Sequence, residues 1–453
     1  MPNPDSSAAT SGQSSGITRV LRIFGDVSAE ETRDVLLMFS TIFMLLVAYY
    51  VLKTVREPLI LATGGATLKS YAAGVQAAVL LLYVPLYGML AARLPVQKLV
   101  TWVNLGMVAC IQFFVLTGRA GFSFVGFAFF VFVGIFSLTL IAQFWSFAND
   151  IYRKSEGDRL FPIIAVGATA GAPLGAQLAS QLFSRGVSPW MMMEISSGLL
   201  LVHTWLYRWV RRQRTGEARP KEQQSANGFA LVARNPYLRL IGLLLIVLNL
   251  VNTTGEYILG SLVTARADVL AAGAAGVSKG AFIGQFYGDY FFWVNILSVV
   301  LQMFVVSRLV KWLGMGGVLF ALPVVAFGAY GLVMSGAAMS LVRWVKTAEN
   351  ATDYSVMNTA KQMLWLPTTR EEKYAGKQAI DTFFVRFGDM ISAGVVFVGT
   401  QMALTTSQFA GANIGFVLLA LVVATLLLRE YRHVTGAGVE AARPSTQLAE
   451  AKS

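Results

Sequence analysis

Cysteine and histidine are almost missing from this sequence. One cysteine, Cys110, and two widely separated histidines, His203 and His433, are all that 453 residues contain. A disulfide framework needs paired cysteines and a Cys- or His-rich metal centre needs clustered donors, so neither is expected, and isolated histidines read as structural. Charge is scarce as well: 13% of residues are charged against 55% hydrophobic, which excludes an ordinary soluble domain. No segment matches GxxxxGK[ST] or HExxH, and the two GxSxG strings, Gly12 to Gly16 and Gly276 to Gly280, fall in a Ser-rich tail and a short connection and not after a strand, so the sequence supports neither an ATP-burning pump nor a hydrolase. No enzyme activity, metal or cofactor is expected.

What the chain has instead is long apolar runs. A hydrocarbon core needs about 20 apolar residues per helix. Twelve runs qualify, near 35–60, 67–92, 97–117, 122–151, 159–183, 189–210, 237–264, 281–309, 314–334, 338–365, 374–404 and 408–430. The expected fold class is therefore all-α, a polytopic membrane protein of about twelve transmembrane helices in two six-helix halves. A Ser-, Ala- and Gly-rich tail (1–30) precedes the first half (31–210). A polar, basic linker (211–235) leads to the second half (236–432), and a short tail (433–453) closes the chain. The first 30 residues lack an apolar h-region, so no cleavable signal peptide is expected. Within "SAEE", Ser28 and Glu31 have capping-box spacing, which predicts a short interfacial helix starting there.

The net charge of +12 suits a nucleic-acid binder by its sum but not by its placement. Basic residues gather in or beside alternate connections: Arg93 and Lys98, Arg153 to Arg159, Arg208 to Lys221, Arg308 and Lys311, and Arg370 and Lys373. The other connections carry only Lys69, Arg119, Arg185, Arg266 and Lys279. By the positive-inside rule both termini are cytoplasmic, in a multi-pass protein of the cell (inner) membrane. The expected partners are the lipid bilayer and a small anionic solute, with no nucleic acid, in a monomer.

Charges inside spans cost several kcal/mol if they face lipid, so they are expected to line a cavity. Lys53, Arg56 and Glu57 share one face of the first span. In the tenth, Arg343, Lys346, Asn350, Asp353, Met357 and Lys361 recur every three or four residues, a single helical stripe. Gln143, Ser146 or Phe147, Asp150 and Arg153 form a similar stripe in the fourth. Gly167, Gly171 and Gly175, at intervals of four, read as close helix packing. The halves echo each other, and parallel six-helix repeats are the layout of major-facilitator-type transporters.

Four segments carry a resemblance. "FWSFANDIYRKSEGDRLF", "AYYVLKTVREPLIL", "FIGQFYGDYFFW" and "YSVMNTAKQMLWLPTTREEKYAGKQAIDTFFVRFGD" are similar, in the same order, to segments of the ATP/ADP translocase (nucleotide transporter) family of plastids and intracellular bacteria. The resemblance implies nucleotide exchange, with ATP and ADP as substrates and Arg56 and Lys377 as its basic pair. The family's intramembrane carboxylate positions fall near Val133 and on Asn252, with Glu256 one turn further on.

Lys53, Arg56, Lys346, Lys361, Lys377 and Asn252 are thus the candidate substrate-binding residues, and Glu256, Asp353 and Asp150 the candidates for coupling or counter-charge. Asn149, Glu156, Asp158 and Arg159 are expected to form a gate with Glu371, Glu372 and Lys373 of the matching loop in the second half. The expected activity is secondary transport of an organic anion, a nucleotide exchanger by resemblance, through alternating access. A proton-coupled carrier of another metabolite and a transport-inactive sensor or scaffold stay open.

Overall fold

The computed structural model describes residues 27–28, 31–94, 96–210, 227–273 and 278–442. The remainder, including most of the expected tails and of the linker, lies outside the described residues. Before the linker run α1 (Thr32–Arg93), α2 (Val96–Arg119), α3 (Val125–Ile151), α4 (Lys154–Ser184) and α5 (Pro189–Tyr207). After it come the short α6 (Gly228–Arg234), then α7 (Pro236–Ala272), α8 (Lys279–Val300), α9 (Val306–Met334), α10 (Met339–Thr352), α11 (Asn358–Met363), α12 (Lys377–Ala379), α13 (Val385–Gln401) and α14 (Thr406–Ala442). Among the described residues there is no strand.

By length and composition eight helices can cross a membrane, against twelve expected. Two of the eight account for much of the difference. The 62 residues of α1 would span ~90 Å if straight, about three bilayer cores. At Gly65 the backbone turns left-handed (φ 64°), a conformation open to glycine without a Cβ penalty. The chain folds back there, which lets Glu57 meet Lys69 at 2.8 Å across the bend. Gly314 (φ 61°) breaks α9 in the same way. Helix α5 and the α10–α11 segment also cover expected spans, but carry Glu194 and His203, or the charged stripe.

Helix α4 packs on α1 through its glycines. A Cβ at Gly167, Gly171 or Gly175 would stand 2.6 Å from the carbonyl oxygens of Phe39, Phe43 and Val47, respectively, so each added methyl would force the helices apart. His203 is buried, its Nδ1 2.9 Å from the Thr41 carbonyl oxygen. Ser28 and Glu31 form the reciprocal capping bonds, Ser28 N–H to Glu31 at 3.0 Å and Glu31 N–H to Ser28 at 3.3 Å. The helix that follows is α1 itself, where a separate interfacial helix was expected.

The segments after the linker contain π-helical turns at Leu301–Val305, Asp353–Met357, Glu372–Gly376 and Ile380–Phe384. Such turns insert a residue into the helix and are frequent at functional sites. The groups before and after the linker meet at the end away from the basic connections. Gly288 lies so close to Ser180 that a Cβ would be 2.7 Å from the Ser180 nitrogen, and a Cβ at Gly74 would touch Ala393 at 2.8 Å. One apolar core joins α1 to α5 with Leu259, Val263 and Ala267 of α7 and with α8, while a second belongs to the later helices alone.

Candidate functional site

Where the two groups face each other, a cavity of about 230 Å³ is walled by α1, α3, α7, α8, α10 and α13. Four cations line it, Lys53, Arg56, Lys69 and Arg386, against two acids, Glu256 and Asp389.

The charges are joined unevenly. Arg56 Nε donates to Glu57 at 3.0 Å, and the guanidinium lies 4.4 Å from the Phe130 ring centroid. Lys69 Nζ stands between two carboxylates, Glu57 at 2.8 Å and Glu256 at 3.3 Å, and so ties α1 to α7. Glu256 also accepts from Asn350 at 3.1 Å, and Asn350 donates to the Tyr290 hydroxyl at 2.6 Å. In α13, Asp389 accepts from Asn249 and Thr253 of α7, both at 2.7 Å, and faces Arg386 at 3.4 Å.

Lys53 differs from the rest. It is buried, and among the described residues no carboxylate lies within ion-pair distance of its ammonium. Its neighbours are rings: Phe291 at 4.3 Å, Tyr50 at 5.0 Å and Tyr354 at 5.9 Å to the centroids. Ring faces attract a cation but do not neutralise it. Two further wall groups, Ser70 Oγ and Gln76 Oε1, are buried without a hydrogen-bond partner. A glycine at 134 leaves Gln76 its place, since a Cβ there would stand 2.2 Å from the amide carbon. An unneutralised cation and two unused polar groups on one wall suit an anionic ligand with hydrogen-bonding capacity.

Of the residues singled out from sequence, Lys53, Arg56, Asn252, Glu256 and Asn350 line this cavity. Lys346 does not. It is fully buried between α9 and α10, 2.5 Å from Glu349 and 3.0 Å from the Tyr330 hydroxyl, which in turn donates to Glu349 at 2.7 Å. Lys361 pairs with Asp353 at 3.3 Å, and Lys377 donates to Gln362 at 2.8 Å, both on the side of the basic connections. Val133 is buried in the apolar core.

Four of the gate candidates, Asn149, Glu156, Arg159 and Glu372, have bonds within their own groups in this structure. Arg159 pairs with Glu31, whose carboxyl its guanidinium holds below the usual carboxylate range. Glu156 accepts the Arg153 N–H at 2.8 Å, and Asn149 donates to the Trp145 carbonyl at 2.9 Å. Across the molecule Glu372 accepts from Thr369 N–H at 3.0 Å and Asn235 at 2.6 Å. Asp150, Asp158 and Glu371 are exposed, and Lys373 is partly so.

Lys69, Arg386 and Asp389 escaped the sequence reading. Lys69 counts as a connection residue there, but the bend at Gly65 comes early enough to put it on a buried helical wall. Arg386 and Asp389, three apart within an apolar run, carry the same signal that marks Lys53 and Arg56.

The arrangement is a bundle of membrane-crossing helices around a central, charged cavity, and solved structures of transporters share the fold. The nucleoside transporter NupG superposes with a TM-score of 0.67 at 12% identity, covering 88% of this chain and 99% of that one. The POT family transporter PepTSo gives 0.66 at 13% identity, covering 88% of this chain and 98% of that one. The fold is thus the major-facilitator type and the chain is a multi-pass integral membrane protein. Within that class, residues 122–431 match the TLC ATP/ADP transporter family, and the chain belongs to it. ADP,ATP carrier protein 1 of Chlamydia pneumoniae is 26% identical over 346 residues, 64% of this chain and 64% of that protein. ADP,ATP carrier protein 2, chloroplastic, of Arabidopsis thaliana is 24% identical over 325 residues, 64% of this chain and 51% of that protein. The matches span less than two thirds of either relative. The family is one of transporters, as the expectation of a non-enzyme requires.

Proposed function

We propose that the protein exchanges nucleotides, ATP and ADP foremost, across the cell membrane by alternating access. The observation that carries this reading is Lys53, buried beside Arg56, Lys69 and Arg386 with no carboxylate of its own. Phosphate oxygens would complete its coordination, and the rings of Phe130, Tyr257, Phe291 and Tyr354 on the same cavity offer faces for a base. The cavity lies under the ~300–1,000 Å³ usual for small-molecule sites, so it seats the charged end while the rest of the solute extends toward the basic end, past Lys361 and Lys377.

The protein works as a monomer of two six-helix halves, since one chain supplies every wall. The basic connections are cytoplasmic, and the structure then corresponds to a state closed on the outside. On closure toward the cytoplasm, Asn149 to Arg159 meet Glu371 to Lys373, a two-state element of the kind transport needs. In a Cys110→Ser background, a cysteine at Ala272 should react with an impermeant thiol reagent added to intact cells and one at Thr368 should not; the reverse pattern would invert the topology.

Transport is tested with radiolabelled ATP in proteoliposomes. Internal ADP should stimulate uptake several-fold over empty vesicles. Folded protein that takes up neither nucleotide would refute the substrate assignment and favour a carrier of another anion.

A further inference from the structure

A second cavity, of about 620 Å³, lies apart from the central one, among α2, α3 and the end of α5. Lys98 and Arg208 stand in its lining. Lys98 is in the first turns of α2 and Arg208 directly follows α5, so both sit where helices leave the apolar slab, at the end carrying the basic connections. Both side chains are exposed, and among the described residues neither has an ion-pair partner. Two cations sharing one cavity without a carboxylate repel each other until an anion sits between them.

The rest of the lining is apolar. Val100, Phe147, Tyr207 and Val210 are buried walls, and Trp102 stands 69% exposed at the rim. On the adjoining surface of α5, Trp205 and the nearby Trp209 are about half exposed, their rings 4.9 Å apart. Exposed tryptophans at one level mark a membrane–water boundary. A free phosphate would satisfy the two cations and leave the walls wet. An acyl chain alone would cover the walls and leave the cations unpaired.

We propose that this cavity is a binding site for an anionic phospholipid, with the phosphate between Lys98 and Arg208 and an acyl chain along Val100, Phe147 and Tyr207. Basic pockets between transmembrane helices recognise anionic headgroups in this way. The site touches only helices before the linker and none of the central cavity's residues, so it is independent of the transported solute. Because Phe147 lies about one turn before the end of α3, an occupied site braces the helix end that leads into α4.

The test is thermal unfolding of the full chain in phosphatidylcholine nanodiscs, with phosphatidylglycerol replacing part of the lipid. A ligand that binds the native state raises the unfolding temperature by mass action. Phosphatidylglycerol should give a saturable rise of about 2 °C or more. Lys98→Gln with Arg208→Gln should abolish it, and Lys98→Arg with Arg208→Lys should keep it. Equal stability in both lipids, a full rise in the neutralised variant, or an equal rise from millimolar inorganic phosphate in phosphatidylcholine alone would overturn the proposal.

Discussion

Lys53 and Lys346 are both buried lysines in the middle of apolar helices, yet they belong to opposite kinds of site. Lys346 is closed off: Glu349 and the Tyr330 hydroxyl take up its charge within 3.0 Å, and together they form a self-contained cluster. Lys53 faces a cavity with rings around it and no counter-charge. A charge that the protein itself neutralises is part of the packing, whereas one left over is available to a ligand. Removing the first should break structure, and removing the second should break binding.

The largest expected effect tests the closed cluster. Lys346→Met leaves Glu349 and Tyr330 buried without their cation, which should cost about 3–5 kcal/mol. Yield and unfolding temperature should fall sharply, and adding Glu349→Leu should recover much of the loss. Normal stability of the single variant would erase the contrast.

Next in size, Lys53→Gln or Arg56→Gln should weaken the apparent affinity for an anionic substrate about ten- to a hundredfold, from ~1.5–3 kcal/mol of charge-assisted contact. The unfolding temperature of Lys53→Gln should stay within about 2 °C of wild type, because Lys53 has no carboxylate to leave unpaired, whereas Arg56→Gln also takes a partner from the buried Glu57. Unchanged transport by both variants would remove the cavity from the substrate path.

The smallest effect concerns a third kind of pair, at the surface. Glu31→Gln removes the partner of Arg159 and should cost about 1 kcal/mol or less. The Glu31 carboxyl titrates below its ordinary 4.5 in the folded protein, so its contribution is present at neutral pH and disappears as pH falls through that lowered value. Unfolding of wild type and variant should therefore converge in acid. A difference that persists below the titration would assign the effect to packing.

Helix placement was largely legible in the sequence, because span length and apolar run are set by the bilayer. The expected spans near 35–60 and 67–92 lie within α1, and 122–151 nearly coincides with α3. The presence of buried charge at 53, 56 and 346 was legible too, from helical spacing in apolar runs. Whether each charge is neutralised was not. Tyr330 and Lys346 lie on different helices, as do Lys69 and Glu256, and such partners depend on helix rotation, which sequence period alone does not give. Lys69 shows the other limit, since a shift of a few residues in the bend at Gly65 decides between loop and wall.

The fixed place of the cavity's cations has a consequence for membrane voltage. If exchange proceeds by the proposed rocking of helices about the site, Lys53, Arg56 and Lys69 carry little charge across the membrane themselves. The charge moved in each cycle is then the difference between the two solutes exchanged. If that difference is about one elementary charge, as for ATP against ADP, each turnover exchanges ~2.3 kcal/mol with every 100 mV of potential. A potassium diffusion potential imposed on proteoliposomes should accordingly speed exchange of unlike nucleotides in one polarity and slow it in the other, while leaving exchange of like nucleotides nearly unchanged.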